Sequence, residues 1–330
     1  MLILAPMQGL TEVMFRRAYE RCFAGVLDCA VAPFVSLTHG NCGGREQLDD
    51  ILPENNEGSI TVIPQILGHE LEEFVRMANC MAGLGYHEVN WNIGCPMRRI
   101  AAKHRGSGIL PYPAEIREVL EYVVPRITPR LSVKMRLGHR SPDEIFDIIP
   151  ILNDYPLASV TIHGRTGKQQ YGGCIDKERV FRAASMLKAP FIYNGDICTP
   201  GQWSAVSSQL SAVGIQTFKH SNIQAFEQSN NQTPHAVMLG RGVLYDPTLP
   251  LKIKGIAGDY AEMTHRFVAT LYDAIEQTFP HPTPQLRKMK EYWCLVYKSL
   301  HIAEQKARSM LRMEDVAAFR QAVDGACNSI

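Results

Sequence analysis

Leu131-Ser132-Val133-Lys134-Met135-Arg136-Leu137 alternates between apolar and polar side chains, and Ser159-Val160-Thr161-Ile162-His163-Gly164-Arg165 repeats the pattern. A period of two is the mark of a β-strand. One face carries Leu131, Val133, Met135 and Leu137, then Val160 and Ile162; the other carries Ser132, Lys134 and Arg136, then Ser159, Thr161, His163 and Arg165. Six further β-branched runs, Leu2–Pro6, Cys29–Val35, Ile60–Ile66, Glu88–Gly94, Phe191–Asp196 and Ala236–Gly240, bring the strands to eight. Helical patterns separate most of them. Leu71, Phe74, Val75, Ala78 and Met81 share one face of a helix, as do Ile116, Val119, Leu120 and Val123. Ser141-Pro142-Asp143-Glu144 reads as a helix start with a capping box.

Parallel strands need helical crossovers, and eight such units suit a closed ring better than an open sheet. The expected fold class is therefore α/β, a (β/α)8 TIM barrel. Helices cover the outside of such a barrel, so the apolar faces point outward and Lys134, Arg136 and His163 point inward. Charges there are costly without a polar partner, whereas the usual barrel interior is aliphatic. Two explanations stand: a bound anionic or amide-rich ligand, or a structural salt-bridge network.

After Gly242 the alternation stops. Asp246-Pro247-Thr248-Leu249-Pro250 reads as a linker. Beyond it, Tyr260, Met263, Phe267, Leu271 and Ile275 form one helical stripe, and Met289, Tyr292, Val296 and Leu300 another. The expected division is a barrel over residues 1–245 and a small all-α helical domain over 251–330. The polar stretch 209–235 looks like an insertion before the eighth strand, near the rim where a phosphate would sit.

The chain has 330 residues, 45% of them hydrophobic, with 34 Lys and Arg against 33 Asp and Glu and a formal charge of +1. That composition excludes a disordered chain and a uniformly basic binder, but not a local basic face. Nine cysteines, at 22, 29, 42, 80, 95, 174, 198, 294 and 327, form no C-x-x-C pair. They suit neither a disulfide framework nor a thiolate metal site. No apolar run approaches the ~18 residues of a membrane span. A soluble, cytoplasmic, monomeric protein without metal is the expectation.

Barrel active sites form at the strand C-termini, and the unusual residues gather there. Pro6-Met7-Gln8-Gly9 ends the first strand, Gln65 the third, Asn92-Ile93-Gly94-Cys95-Pro96 the fourth and His163-Gly164-Arg165 the sixth. Asn194-Gly195-Asp196 and Gly240-Arg241-Gly242 end the last two, where barrels often hold a phosphate. With Lys134 and Gln65 nearby, a phosphorylated ring cofactor fits, flavin mononucleotide (FMN) best. No Walker-type loop is present. The loop after Cys95 carries Arg98, Arg99, Lys103, His104 and Arg105 without an acid. Such a field favours thiolate and also attracts a polyanion. With Arg136, His139, Arg140, Arg165 and Lys168 it makes one face basic, the footprint of nucleic acid.

These segments resemble the tRNA-dihydrouridine synthases. The similarity rests on Ala5-Pro6-Met7-Gln8-Gly9, Asn92-Ile93-Gly94-Cys95-Pro96 with Gly106-Ser107-Gly108, and Val133-Lys134-Met135-Arg136-Leu137-Gly138. His163-Gly164-Arg165-Thr166 with Tyr171, Asn194-Gly195-Asp196 and Gly240-Arg241-Gly242 follow in the family's order. It is looser in Leu286-Arg287-Lys288-Met289-Lys290-Glu291-Tyr292-Trp293, which is similar to a basic–aromatic helix of the family. The resemblance implies an oxidoreductase acting on a CH–CH bond, with NAD(P)+ as the acceptor in the reverse sense. It would reduce a D-loop uridine of tRNA: NADPH or NADH reduces FMN, hydride passes from flavin N5 to uracil C6, and Cys95 gives the proton to C5.

By matched position, Pro6, Met7, Gln8, Gln65, Lys134, His163, Asn194, Gly195, Asp196, Gly240 and Arg241 would hold the flavin. Asn92 would face the uracil, with Arg98, Arg99, Lys103, Arg105 and Arg136 on the tRNA side. A general acid must be a thiol, so the cationic loop implies that tRNA phosphates neutralise it on binding. The chain departs from the family at Arg98 or Arg99, where lysine is common, and at His139, where tryptophan is; altered RNA contacts are the expected consequence. Three alternatives stay open: an FMN barrel acting on a free pyrimidine, as dihydroorotate dehydrogenases do; a Schiff-base aldolase using Lys134; and a non-catalytic tRNA-binding relative.

Overall fold

The computed structural model describes residues 1–37, 48–215 and 236–327. Its strands are β1 (Leu2–Leu4), β2 (Cys29–Val31), β3 (Val35–Ser36), β4 (Thr61–Ile63), β5 (Gln65–Leu67), β6 (Glu88–Ile93), β7 (Arg130–Gly138), β8 (Val160–Thr166), β9 (Phe191–Asn194) and β10 (Val237–Leu239). All pair in parallel, in the order β3-β5-β6-β7-β8-β9-β10-β1-β2-β4. Two of the expected strands are thus broken. The run 29–35 yields β2 and β3, and the run 60–66 is interrupted at Pro64. That proline is where the ring closes. On one side β4 pairs with β2, and Ala32 N donates to Ile63 O; on the other β5 pairs with β6, and Asn90 N donates to Pro64 O at 2.9 Å. A residue without an N–H suits a strand that changes partner. The fold is a TIM barrel of eight staves.

Helices α1 (Val13–Phe23), α2 (Leu71–Gly83), α3 (Arg98–Ala101), α4 (Pro113–Val123), α5 (Ile145–Leu152), α6 (Lys177–Met186) and α7 (Pro200–Ala212) lie between the strands. The capping box at Ser141 is present: its hydroxyl accepts from Asp143 N, while Glu144 accepts from Ser141 N at 2.9 Å. It caps a single 3-10 turn, Pro142–Glu144, which runs into α5. Residues 209–212 of the polar stretch are the last turn of α7, a helix capped by Thr199 and Gln202. Residues 216–235 lie outside the described residues. The expectation that the stretch is an insertion near the phosphate rim falls mostly on those residues.

The alternation in β7 and β8 sorts as expected. Leu131, Val133, Met135, Leu137, Val160 and Ile162 are buried in the main hydrophobic core, and the polar set faces the barrel axis. A smaller core of Met1, Ile3, Ala5, Cys29, Val31, Ile192, Ala236 and Met238 lies inside the ring. Small polar residues (Ser132, Ser159 and Thr161) leave a cavity of about 700 Å³ toward the strand N-termini.

After β10 come α8 (Arg241–Tyr245), α9 (Leu249–Lys254), α10 (Tyr260–Thr278), α11 (Pro282–Val296), α12 (Glu304–Met310) and α13 (Val316–Cys327). The expected linker is therefore half helical, since α9 begins at Leu249. The stripe on α10 packs onto α1: Phe267 meets Phe15 edge-on at 5.3 Å and lies 5.8 Å from both Tyr19 and Phe23. Aromatic pairs of this geometry add about 0.5–1.5 kcal/mol each beyond burial. From α11, Tyr292 Oη donates to Leu10 O at 2.6 Å and Lys288 Nζ to Gly9 O. The helical region thereby fixes the loop after β1.

Candidate active site

At the strand C-termini a cavity of about 360 Å³ opens, within the usual range of ligand pockets. Pro6, Met7, Gln8, Asn92, Cys95, Lys134, Arg136, His163, Asn194, Gly195, Asp196, Gly240 and Arg241 line it. Gln65, Arg98, Arg99, Lys103 and Arg105 do not.

Register explains the gathering. Asn92 lies beside Lys134, and in the next row toward the strand C-termini Arg136 lies beside His163 and His163 beside Asn194, so two successive rows present polar side chains from four neighbouring staves. Lys134 Nζ donates to Asn194 Oδ1 at 3.1 Å and has no carboxylate partner among the described residues. Burial, with Arg136 as the second influence, lowers its pKa to about 7. Burial likewise holds His163 well below its ordinary value, seconded by Arg136 and Lys134, so the ring is neutral. Its Nδ1 is buried without a hydrogen-bond partner. An orphaned buried nitrogen beside an unpaired ammonium suits a ligand rich in acceptors and anionic charge.

The two explanations for inward charge divide between residues. Arg165 belongs to a structural network: it pairs with both oxygens of Asp196, at 2.9 and 2.5 Å, and donates to the carbonyls of Gly172 and Gly173. Arg241 joins Asp196 from the other side at 2.7 Å. One carboxylate thus holds two guanidinium groups, and the rim stays positive beside Gly195 and Gly240. Gly195 has φ +154°, where side chains are strained, and a Cβ there would lie 2.7 Å from Ile175. Arg136 is buried and tied to loop carbonyls: Nε to Gly94 at 2.8 Å, Nη1 to Thr166 at 2.9 Å and Gln170 at 2.6 Å. It lines the cavity, yet it chiefly joins the loops after β6 and β8.

Gln65 is fully buried beneath the cavity. Its amide donates to Asn90 Oδ1 at 2.7 Å and accepts from Asn92 Nδ2 at 2.8 Å. That leaves Asn92 Oδ1 to accept from the N–H groups of Gly94 and Cys95, at 3.1 and 2.9 Å. Gln65 and Asn92 therefore shape the turn that carries Cys95. Burial raises the Cys95 thiol above its ordinary pKa, outweighing the opposing influences of Met97 N–H, Arg136, Lys134 and Arg99. The expected thiolate-favouring field is overturned. Burial favours the thiol form in the free protein without any phosphate.

The basic loop also proves less free than its sequence suggests. Arg105 is paired with Glu70 and His104 with Glu115, leaving Arg98, Arg99 and Lys103 exposed. On α11, Lys288 holds Gly9 O and Lys290 donates to Met313 O, so Arg287 is the exposed cation of that basic–aromatic run.

The family model for dihydrouridine synthase (Dus) matches residues 3–324, nearly the whole chain. The protein belongs to the dihydrouridine synthase family. A tRNA-dihydrouridine(16) synthase of Pseudomonas putida is 26% identical over 327 residues, covering 95% of this chain and 93% of that protein. Another, from Pasteurella multocida, is 25% identical over 338 residues, covering 99% of each. A tRNA-dihydrouridine synthase B of Pasteurella multocida is 26% identical over 75% of this chain and 67% of its own length.

In this dihydrouridine synthase, sequence reasoning missed part of the lining. Leu10, Phe34, Met97, Ile197 and Met238 supply apolar walls, and a search for polar signatures passes over them. Tyr171 carries a sequence signal of its own, an aromatic flanked by glutamines and glycines after a basic strand. Half exposed, it lies under Arg241 at 4.9 Å and Arg136 at 5.5 Å.

Proposed function

We propose that this dihydrouridine synthase reduces a uridine of tRNA, with FMN held in the barrel-mouth cavity and Cys95 as the general acid. The observation that carries the proposal is the half-buried Cys95 in the wall of a cavity whose ammonium and imidazole have no acid of their own among the described residues. FMN reduced by NADPH or NADH would supply the hydride for uracil C6. Lys134, His163 and Asn194 would hold the ring; Gly195, Gly240 and Arg241 would hold the phosphate, with Asp196 keeping Arg241 in place.

Cys95 would deliver its proton to C5, which requires a thiol whose pKa stays above the working pH. Burial provides that condition, and Asn92 and Gln65 set the backbone that carries it. A uridine has to leave its stack to reach the cavity, as in other enzymes that modify bases. Arg98, Arg99 and Lys103 would receive phosphates around it, and residues 251–330 would serve as the tRNA-binding part.

The free-pyrimidine reading accounts for the cavity but not for the exposed cations beside it. The lowered pKa of Lys134 would also serve a Schiff base, and that reading predicts a colourless protein. The deciding experiment is purification of the protein followed by incubation with unmodified tRNA and NADPH. A flavin spectrum, with dihydrouridine formed by the native protein and not by Cys95→Ala, is expected. A colourless protein, or an active Cys95→Ala, refutes the proposal.

A further inference from the structure

We infer that His139 is a positioning residue that, through Ser107, locks the backbone of Cys95 in place. The inference rests on the reading of Cys95 as the acid. Cys95 O accepts two hydrogen bonds from Ser107, one from its N–H at 2.9 Å and one from its hydroxyl at 3.0 Å. Ser107 Oγ is also 3.0 Å from His139 Nδ1. A serine has one hydroxyl hydrogen, and a carbonyl can only accept. For both contacts to be hydrogen bonds, the hydroxyl hydrogen goes to Cys95 O and the proton of His139 sits on Nδ1. In that arrangement His139 Nδ1–H donates to Ser107 Oγ, whose O–H donates to Cys95 O.

Three features build this contact. The carboxylate of Glu144 accepts from the N–H groups of His139, Arg140 and Ser141, at 2.7, 3.1 and 2.9 Å, which fixes the turn after β7 that aims the imidazole. Gly167 leaves room for it: a Cβ there would lie 2.4 Å from both His139 Nδ1 and Ser107 Oγ. Gly106, at φ +56°, lets the chain pass Cys95, where a Cβ would lie 2.7 Å from Cys95 O. Cys95 is thus held through both of its backbone polar groups, its N–H by Asn92 and its carbonyl by Ser107. His139 ties that unit to the rigid end of β7. The departure at residue 139 thus bears on the acid's loop, beside the cations Arg98, Arg140 and Lys168 that share its pocket.

The test compares His139→Ala, His139→Asn, His139→Gln, Ser107→Ala and Gly167→Ala in the full-length protein. Asparagine can place an N–H where Nδ1 stands; glutamine places its amide one bond further out. His139→Ala, Ser107→Ala and Gly167→Ala are expected to lower kcat for tRNA uridine reduction about tenfold, the effect of one lost hydrogen bond, with KM changed less than about twofold. Without tRNA, the same three are expected to react several times faster with iodoacetamide at Cys95. His139→Asn is expected to restore both properties and His139→Gln neither. A His139→Ala protein with native kcat and native alkylation rate would overturn the inference, as would a His139→Asn protein no better than His139→Ala. Activity surviving in Cys95→Ala would remove the acid reading, while alkylation of the other variants would still decide whether the clamp exists.

Discussion

Lys134 reaches across the barrel mouth from β7 to β9, its ammonium 3.1 Å from the side-chain oxygen of Asn194. An amide oxygen satisfies one of three N–H bonds and brings no countercharge. Burial, then Arg136, lowers the lysine's pKa to about 7, and no countercharge among the described residues offsets them.

That relationship sets a pH dependence. An unfolded chain keeps a lysine protonated to about pH 10.4, whereas the folded apoprotein releases this proton near 7. Between those values the unfolded state binds more protons, so this group makes the apoprotein more stable as pH rises. Lys134→Met should raise the melting temperature of the apoprotein at pH 7 and flatten that dependence. In the native apoprotein, FMN affinity measured by fluorescence quenching should fall above pH 7, by at most about tenfold per unit. A flat affinity from pH 6 to 9 would contradict the role given to Lys134.

Arg241 tests the phosphate assignment. Arg241→Ala should weaken FMN binding by about 10- to 150-fold while leaving riboflavin binding nearly unchanged, since a charge-assisted hydrogen bond to a phosphate is worth about 1.5–3 kcal/mol. Equal losses for both ligands would place the phosphate elsewhere.

Asp196 should matter for stability. Removing it with Asp196→Ala leaves a buried Arg165 without its carboxylate. Breaking a buried ion pair costs about 3–5 kcal/mol, but Asp196 is more than a third exposed and Arg165 keeps two carbonyl partners. A loss of about 1–3 kcal/mol in urea unfolding is expected after that discount. A change below about 0.5 kcal/mol would show that the network contributes little.

Remote control of the cavity follows from α11. Tyr292→Phe removes the hydrogen bond to Leu10 O and leaves a carbonyl next to the loop of Pro6, Met7 and Gln8 unsatisfied. It should lower stability by about 1–2 kcal/mol and weaken FMN binding several-fold without touching the ligand. Calorimetry and fluorescence titration on the same preparation would separate the two effects.

The strands most legible in the sequence were those with strict alternation. In β7 and β8, polarity alone assigned the inward faces, because a helix-covered parallel sheet puts its aliphatic side outward. The break at Pro64 could have been noticed, since a proline cannot pair on both sides of a stave; ring closure there depends on strands distant in sequence. Position along the chain also identified most of the cavity lining. Partners were what it hid. Gln65 is bonded to Asn90 and Asn92 and Arg105 to Glu70, across separations in the chain that no local pattern shows. The state of Cys95 misled for the same reason: a run of cations is visible in sequence, but burial, which outweighs it, is not.

The most direct test of the central claim is nucleotide-resolution mapping of dihydrouridine in tRNA from cells that lack this gene, complemented with the native protein or with Cys95→Ala. Loss at a D-loop uridine, regained with the native protein and not with the variant, is predicted. An unchanged dihydrouridine map after deletion, or full recovery with Cys95→Ala, would contradict it.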